Sequence, residues 1–476
     1  MRQWGSSLYH NGMSFFLASV PKGTQLYHGT HLPDPVNGTE WLAFEPEHAL
    51  LFARPWGPYP WKPGDHGRGP NDERPQKPLV PFFYNERHQR ESLDDHGSGW
   101  LHTYSAAKDL RLVYIDGMSA GKTPNGTLDS QERILLNNTQ WKHPGFNEMD
   151  RARAICRIAR EDWEDRIDGV IRMEAGFEII LCSFERDLEL LHVKQTKRLD
   201  QDDGDDDLSR DRNANFARFR FLRAVAARYH GIGGDRVRLN YEHFVTAYNG
   251  DYGLDLFNYS INNRNSRNSI NDEDNKLPLL PRLNVPSDKL DPVRRDLYNL
   301  VMTHDTNEAS FNWQAVTDMI IQRYADELNY LLSDVFANTA KLHAEICRIL
   351  EPFIDYSDRN SSLEIERCVD QFIPKSASLR ESLAGRAVYS VTNTICSTLV
   401  DALGEQTYEV IVGNIKNLID YLAWTIWKEC RECKDTEVCT IPMWPYGVVE
   451  DYKHPRCRNA DNMYGSGRSY WGRPFH

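Results

Sequence analysis

The chain of 476 residues has no apolar stretch near the length of about 18 residues that a membrane-spanning helix needs. Met1–Val20 does not read as a signal peptide, because Ser6, Ser7, His10, Asn11 and Ser14 break the apolar run such a leader requires. Positive charge is in deficit: 56 Lys and Arg stand against 69 Asp and Glu, a net −13. Phosphate and anionic-membrane affinity come from clustered Lys and Arg, so this balance argues against nucleic-acid binding while leaving room for a local basic site. Sequence repeats of fixed period are missing, which excludes solenoids and propellers. What remains is a soluble-protein composition, 40% hydrophobic and 11% aromatic, with enough length for two or three domains.

Nine cysteines are few for such a length, but four crowd the C-terminus. Cys430, Cys433, Cys439 and Cys457 follow C-x2-C-x5-C-x17-C. That spacing suits two disulfides closing a loop-rich tail; zinc ligation is the alternative, although the x5 gap fits zinc ribbons poorly. Cys156, Cys182, Cys347, Cys368 and Cys396 sit in apolar patterns and read as small buried hydrophobes. Sequons at Asn37, Asn125, Asn137, Asn258 and Asn360, taken with the cysteine cluster, tilt the expected setting toward the secretory pathway or outside of the cell.

The pattern changes along the chain. Residues 1–194 alternate short β-branched and aromatic runs with turns, as in Gln25–Tyr27, Leu110–Ile115, Val170–Arg172 and Glu178–Phe184. An amphipathic helix is expected over Ala152–Ile167. Pro55–Pro70 and Glu86–Gly99 read as loops. Residues 195–215 form an acidic linker, with Asp200, Asp202, Asp203, Asp205, Asp206, Asp207 and Asp211 within it. An EF-hand loop is excluded there, because the positions that need Gly and Glu hold Asp205 and Asp211. Asn262–Asn275 is a polar linker or surface loop. Residues 216–429 read as mainly helical. Stripes at threes and fours run from Trp313 to Val335, Leu383 to Leu403 and Tyr408 to Ile426, with Gly404 as an expected C-cap. Residues 430–476 are the Cys-rich tail.

Two motifs invite a chemical reading. Gly117–Thr123, GMSAGKT, looks like a phosphate loop, but one residue too few separates its glycines and Pro124-Asn125-Gly126 makes a turn where a helix should open. The second has three parts. TQLYHGT (Thr24–Thr30) is a strand ending in His and Gly. EWLAFEPEHALLFARP (Glu40–Pro55) is an aromatic strand, Glu-Pro and a helix. DGVIRMEAGFEIILCSF (Asp168–Phe184) is a strand, a turn and a strand that opens with Glu178.

Together these blocks resemble the ADP-ribosyltransferase superfamily over about residues 24–190. The residues that carry the likeness are Tyr27, His28, Gly29 and Thr30; Trp41, Phe44, Pro46, Ala49, Phe52 and Ala53; and Asp168, Gly169, Val170 and Glu178. The resemblance implies an α+β chain: a split β-sheet domain that clamps NAD, followed here by the helical region and the tail. It implies cleavage of the nicotinamide–ribose bond of NAD, by transfer of ADP-ribose to a protein acceptor or by hydrolysis. His28 would hold a ribose hydroxyl, Gly29 with Thr30 the nicotinamide amide, and Trp41 or Phe44 the nicotinamide ring, beside Tyr27. Glu178 would stabilise the cationic ribose, as carboxylates do in glycoside hydrolysis. Glu132 and Glu174 are rivals for that carboxylate. Two departures stand out. Trp41-Leu42-Ala43 replaces the Tyr or Ser-Thr-Ser of many relatives, and Gly176 stands where side-chain-modifying relatives carry Glu or Gln. A non-catalytic secreted or surface protein on a degenerate scaffold is the alternative. The strings WLAFEPEHA and DGMSAGKT also resemble uncharacterised fungal proteins.

Overall fold

The structure, a computed structural model, describes residues 2–53, 99–139, 148–196, 219–225, 232–257, 280–463 and 469–471. The acidic run at 200–211, the stretches Asn262–Asn275 and Pro55–Pro70, residues 86–98 and Asn258 lie outside the described residues.

The chain is mixed α+β and divides into two compact units. The first holds residues 1–239, 243–308 and 430–476; the second holds 240–242 and 309–429. The Cys-rich tail is therefore part of the unit that contains the N-terminal sheet.

In the first unit nine strands of the described residues form one sheet: β1 (Asn11–Val20), β2 (Gln25–Thr30), β3 (Glu40–Ala43), β4 (Trp100–Ala106), β5 (Leu110–Gly117), β6 (Gly169–Met173), β7 (Phe177–Leu181), β8 (Leu188–Gln195) and β9 (Arg238–Thr246). Their order is β8-β4-β2-β3-β7-β6-β5-β1-β9. The resemblance implies a sheet split into two layers; the described strands instead pair continuously from edge to edge. Only β5 and β6 run parallel, and the rest pair antiparallel. β6 and β7 are buried at every position, so both sheet faces are covered there. One face carries Leu26, Leu42, Ile171 and Ile179, packed under Trp444, Tyr470 and Trp471 of the tail. The other carries Leu17, Trp41, Val170 and Ile180 under helix α3 (Glu148–Arg157), which follows α1 (Gln3–Leu8) and α2 (Pro46–Leu50) in the chain, and under the later helix Asp291–Thr303. α3 ends earlier than the apolar pattern suggests and continues as wider π-type turns over Ile158–Asp162.

The second unit is helical around its own core, with Trp313, Ile320, Leu342, Ile346, Ile395, Leu399, Ile411 and Ile415 inside. Four of its helices start on side-chain caps that satisfy otherwise orphaned N–H groups. Asn312, Asn338 and Asn360 accept from Ala315 N, Lys341 N and Leu363 N at 3.0, 3.0 and 3.2 Å. Ser382 accepts from Gly385 N at 3.0 Å. Gly404 is the last residue of Leu383–Gly404, and the chain leaves it through extended Glu405 rather than a left-handed glycine. The left-handed cap belongs to Ala423, after Tyr408–Leu422.

Eight cysteines pair: Cys156–Cys182, Cys368–Cys396, Cys430–Cys439 and Cys433–Cys457. The tail forms the two disulfides its spacing suggests. Four of the five scattered residues read as buried hydrophobes form two more, which a linear pattern does not reveal because the partners lie 26 and 28 residues apart. Cys347 alone is a free thiol. Mapping the unreduced chain should give these four pairs and one free thiol. Removing Cys368–Cys396 by double alanine substitution should cost roughly 3–4 kcal/mol through the freed unfolded chain. A denaturation midpoint unmoved by that removal would contradict the pairing.

Candidate functional site

The β6–β7 hairpin sets the geometry. Its register places Arg172 opposite Glu178, and Gly176 O accepts from Glu174 N at the turn, at 3.1 Å. Cross-strand partners point to the same face, so the two side chains meet. Arg172 Nε donates to Glu178 Oε1 at 2.7 Å. Its Nη1 donates to Gln131 Oε1 at 2.9 Å, and its Nη2 to Glu148 at the start of α3. Arg151, one turn further along α3, bridges Glu148 at 3.0 Å and also pairs with Glu132. Lys122 pairs with Glu174 and lies 3.4 Å from Glu148. Trp444 of the tail places its ring 5.1 Å from Lys122 Nζ, a cation–π contact on the same ammonium.

The result is a nearly closed buried network. Arg172 is 1% exposed, Lys122 2% and Glu178 5%. Three cations (Lys122, Arg151, Arg172) face four carboxylates (Glu132, Glu148, Glu174, Glu178). Buried charges are tolerable only when paired in this way. Burial alone would push the Glu148 carboxyl up, but Arg172, Lys122 and Arg151 overcome it and hold it at about 2. Burial pulls the Lys122 ammonium down to about 8, against the pull of Glu148. Burial likewise lowers His48, which Glu178 partly offsets.

His48 comes from the short helix α2 (Pro46–Leu50) and explains Gly176. A Cβ at that position would sit 2.8 Å from His48 Nδ1 and 3.2 Å from Val225 Cγ1, so a Glu or Gln has no room without displacement of the imidazole. The same helix covers Gly29, where a Cβ would meet Ala49 O at 1.9 Å.

The three blocks of the ADP-ribosyltransferase resemblance are brought side by side, since β2, β3 and β7 are neighbours. Their side chains divide between the two faces of the sheet. Tyr27 lies opposite Ala43, and Ala43 opposite Glu178, so Tyr27 shares the face of Glu178. Trp41 lies opposite Ile180 on that face and is packed into its core. His28 and Phe44, one residue out of phase, emerge on the other face. His28 Nδ1 donates to Trp41 O at 2.7 Å, and its ring meets Phe184 edge-on at 5.6 Å. Burial drops its pKa to about 4, so it is neutral at physiological pH. Phe44 lies under the Arg236 guanidinium. Thr30 ends β2 opposite Trp100. The rivals Glu132 and Glu174 belong to the network, as does Lys122 of GMSAGKT, which sequence reasoning passed over as part of a loop. Its signal was weak: a lysine between glycines and a turn is ordinarily solvated.

Elsewhere an open pocket of about 300 Å³ beside Cys156–Cys182 is lined by Arg153, Arg157, Arg160, Arg186 and Asp165, with Thr39 and Ser183.

These features describe a disulfide-linked α+β protein with a salt-bridged sheet interior. Residues 1–195, ending with β8, match the family described as the YPL277C N-terminal domain. The chain is similar to the uncharacterized protein YOR389W of Saccharomyces cerevisiae, 26% identical over 95% of this chain and 82% of the relative. It is also similar to the uncharacterized protein YPL277C of the same yeast, 30% identical over 53% of this chain and 60% of that protein.

The network carries a pH signature. The folded Glu148 pKa of about 2 lies below its ordinary value of 4.5, so its pairing stabilises the fold above pH 4.5 and is lost as pH falls towards 2. The shift corresponds to about 3 kcal/mol across that window. In Glu148→Gln, unfolding free energy against pH should be flatter between pH 4.5 and 2 than in the parent. Parallel curves would show that Glu148 is not held by these cations.

Proposed function

We propose that the chain is a non-catalytic interaction protein of the secretory pathway or cell surface, in which an ADP-ribosyltransferase-like arrangement of strands serves as scaffold. The observation that carries this reading is the engagement of Glu178 by Arg172 inside the sheet. A carboxylate that stabilises a cationic ribose must face the substrate with its charge uncommitted. Here Oε1 of that carboxylate accepts from a guanidinium at 2.7 Å, and drawing Glu178 towards a substrate would leave the buried Arg172 Nε without its acceptor. His28 points to the opposite face of the sheet from Glu178, which speaks against a single NAD molecule held by both.

The setting is supported by the four disulfides, which persist in oxidising compartments. Asn37, Asn137 and Asn360 are exposed sequon residues. Among the described residues no helix is long and apolar enough to cross a membrane.

Cleavage of NAD, with transfer to a protein acceptor or to water, is the second reading. It is favoured by the adjacency of β2, β3 and β7, which gathers blocks far apart in sequence. Nicotinamide release from NAD by the purified, disulfide-intact chain separates the two. The scaffold reading expects no release above buffer from folded protein. Release that collapses in Glu178→Gln would overturn it and return Glu178 to catalysis.

A further inference from the structure

The tail cysteines are spent in disulfides, but a different donor set lies elsewhere in the same unit. His243 is on β9. His304 directly follows the helix Asp291–Thr303, and Glu308 lies four residues beyond it. One ligand atom from each falls within 4.8 Å of the other two. Glu308 Oε2 is 3.3 Å from His304 Nδ1 and 4.0 Å from His243 Nε2, so both imidazoles address a single carboxylate oxygen. The rings stack nearly parallel, with centroids 3.7 Å apart and planes at 14°.

We propose that His243, His304 and Glu308 bind one divalent transition-metal ion of the zinc class. Two imidazole nitrogens and a carboxylate oxygen are borderline donors that suit zinc or copper(II) far better than calcium or magnesium. With metal–ligand bonds of 2.0–2.1 Å, neighbouring donors of a tetrahedral site lie about 3.3 Å apart. His304 and Glu308 already stand at that spacing. His243 Nε2 has under about an ångström to close on Glu308 Oε2, and the rings must splay from their stack so that both lone pairs point at the ion. Three protein ligands leave the fourth position to water.

The surroundings hold two of the ligands in place. His304 N donates to Leu300 O at 3.2 Å, closing the helix, and His304 O accepts from Arg166 Nη2 at 3.2 Å. Arg166 Nε also donates to Val301 O at 2.8 Å, which ties the helix end down. Glu308 Oε1 accepts from Asp305 N at 2.9 Å, which orients the carboxylate and leaves Oε2 towards the imidazoles. Such outer contacts set ligand direction and raise affinity. All three side chains are partly open to solvent, at 41, 30 and 37% exposure for His243, His304 and Glu308, so an ion has a route in. The sequence hides this site, because His243 lies 61 residues before His304 in an ordinary strand.

The test uses the full chain with its disulfides intact, stripped with chelator and titrated with Zn2+ by calorimetry and Co2+ by visible absorption. The expected result is one saturable equivalent and cobalt d–d bands without a thiolate charge-transfer band. His243→Gln and Glu308→Gln should each weaken Zn2+ binding by at least about tenfold while leaving the metal-free melting temperature unchanged. The proposal is overturned by the absence of saturable binding, by a thiolate band, or by affinity that survives in both variants.

Discussion

Arg172 is the residue around which the N-terminal architecture is arranged. It is a permanently charged group in a strand buried on both faces. Its guanidinium must be matched on several sides at once, and each match fixes a different element. Glu178 fixes the hairpin register, Glu148 the start of α3, and Gln131 the π-helical segment Ser130–Leu135. Glu148 then gathers Arg151 and Lys122, and Lys122 gathers Glu174 and the face of Trp444. Burial penalises every one of these charges, so the set stands or falls together. A network of this kind specifies one arrangement more than it adds net stability.

This arrangement also bears on what the strand motif can do. A Glu on a strand next to aromatic and Y-H-G-T strands has the look of a sugar-cleaving carboxylate. Side-chain parity separates Glu178 from His28, α2 lies over Gly29, and His48 fills the space beside Gly176. The covalent frame follows the same lines. Cys156–Cys182 joins α3 to the residue after β7, so a disulfide and the Arg172–Glu148 pair anchor the same helix to the same strand region.

Much of the fold was legible in residue patterns, because burial of one face imposes periods that survive in sequence. The strands at Gln25–Thr30, Leu110–Gly117, Gly169–Met173 and Phe177–Leu181 and the helices from Trp313 onward follow from such periods. The tail disulfides follow from close spacing. Other features depend on distant partners and left no linear trace. Cys156 and Cys368 resemble core hydrophobes until Cys182 and Cys396 are folded against them. Lys122 looks like a loop lysine until Glu148 and Glu174 close on it. The three candidate carboxylates Glu132, Glu174 and Glu178 were visible as rivals, yet only the folded chain places them in one network. The cations that tie them together carried no pattern.

The central claim is that Glu178 is a structural partner of Arg172. A double-mutant cycle with Arg172→Met, Glu178→Met and the double variant, read by denaturant unfolding, tests it directly. The account predicts that each single change is more damaging than the pair together, with a coupling of about 1.5–3 kcal/mol, because either single change leaves a buried hydrogen-bonding group of the other residue without its partner. Additive effects, with coupling within about 0.5 kcal/mol, would contradict it and leave Glu178 free for another role.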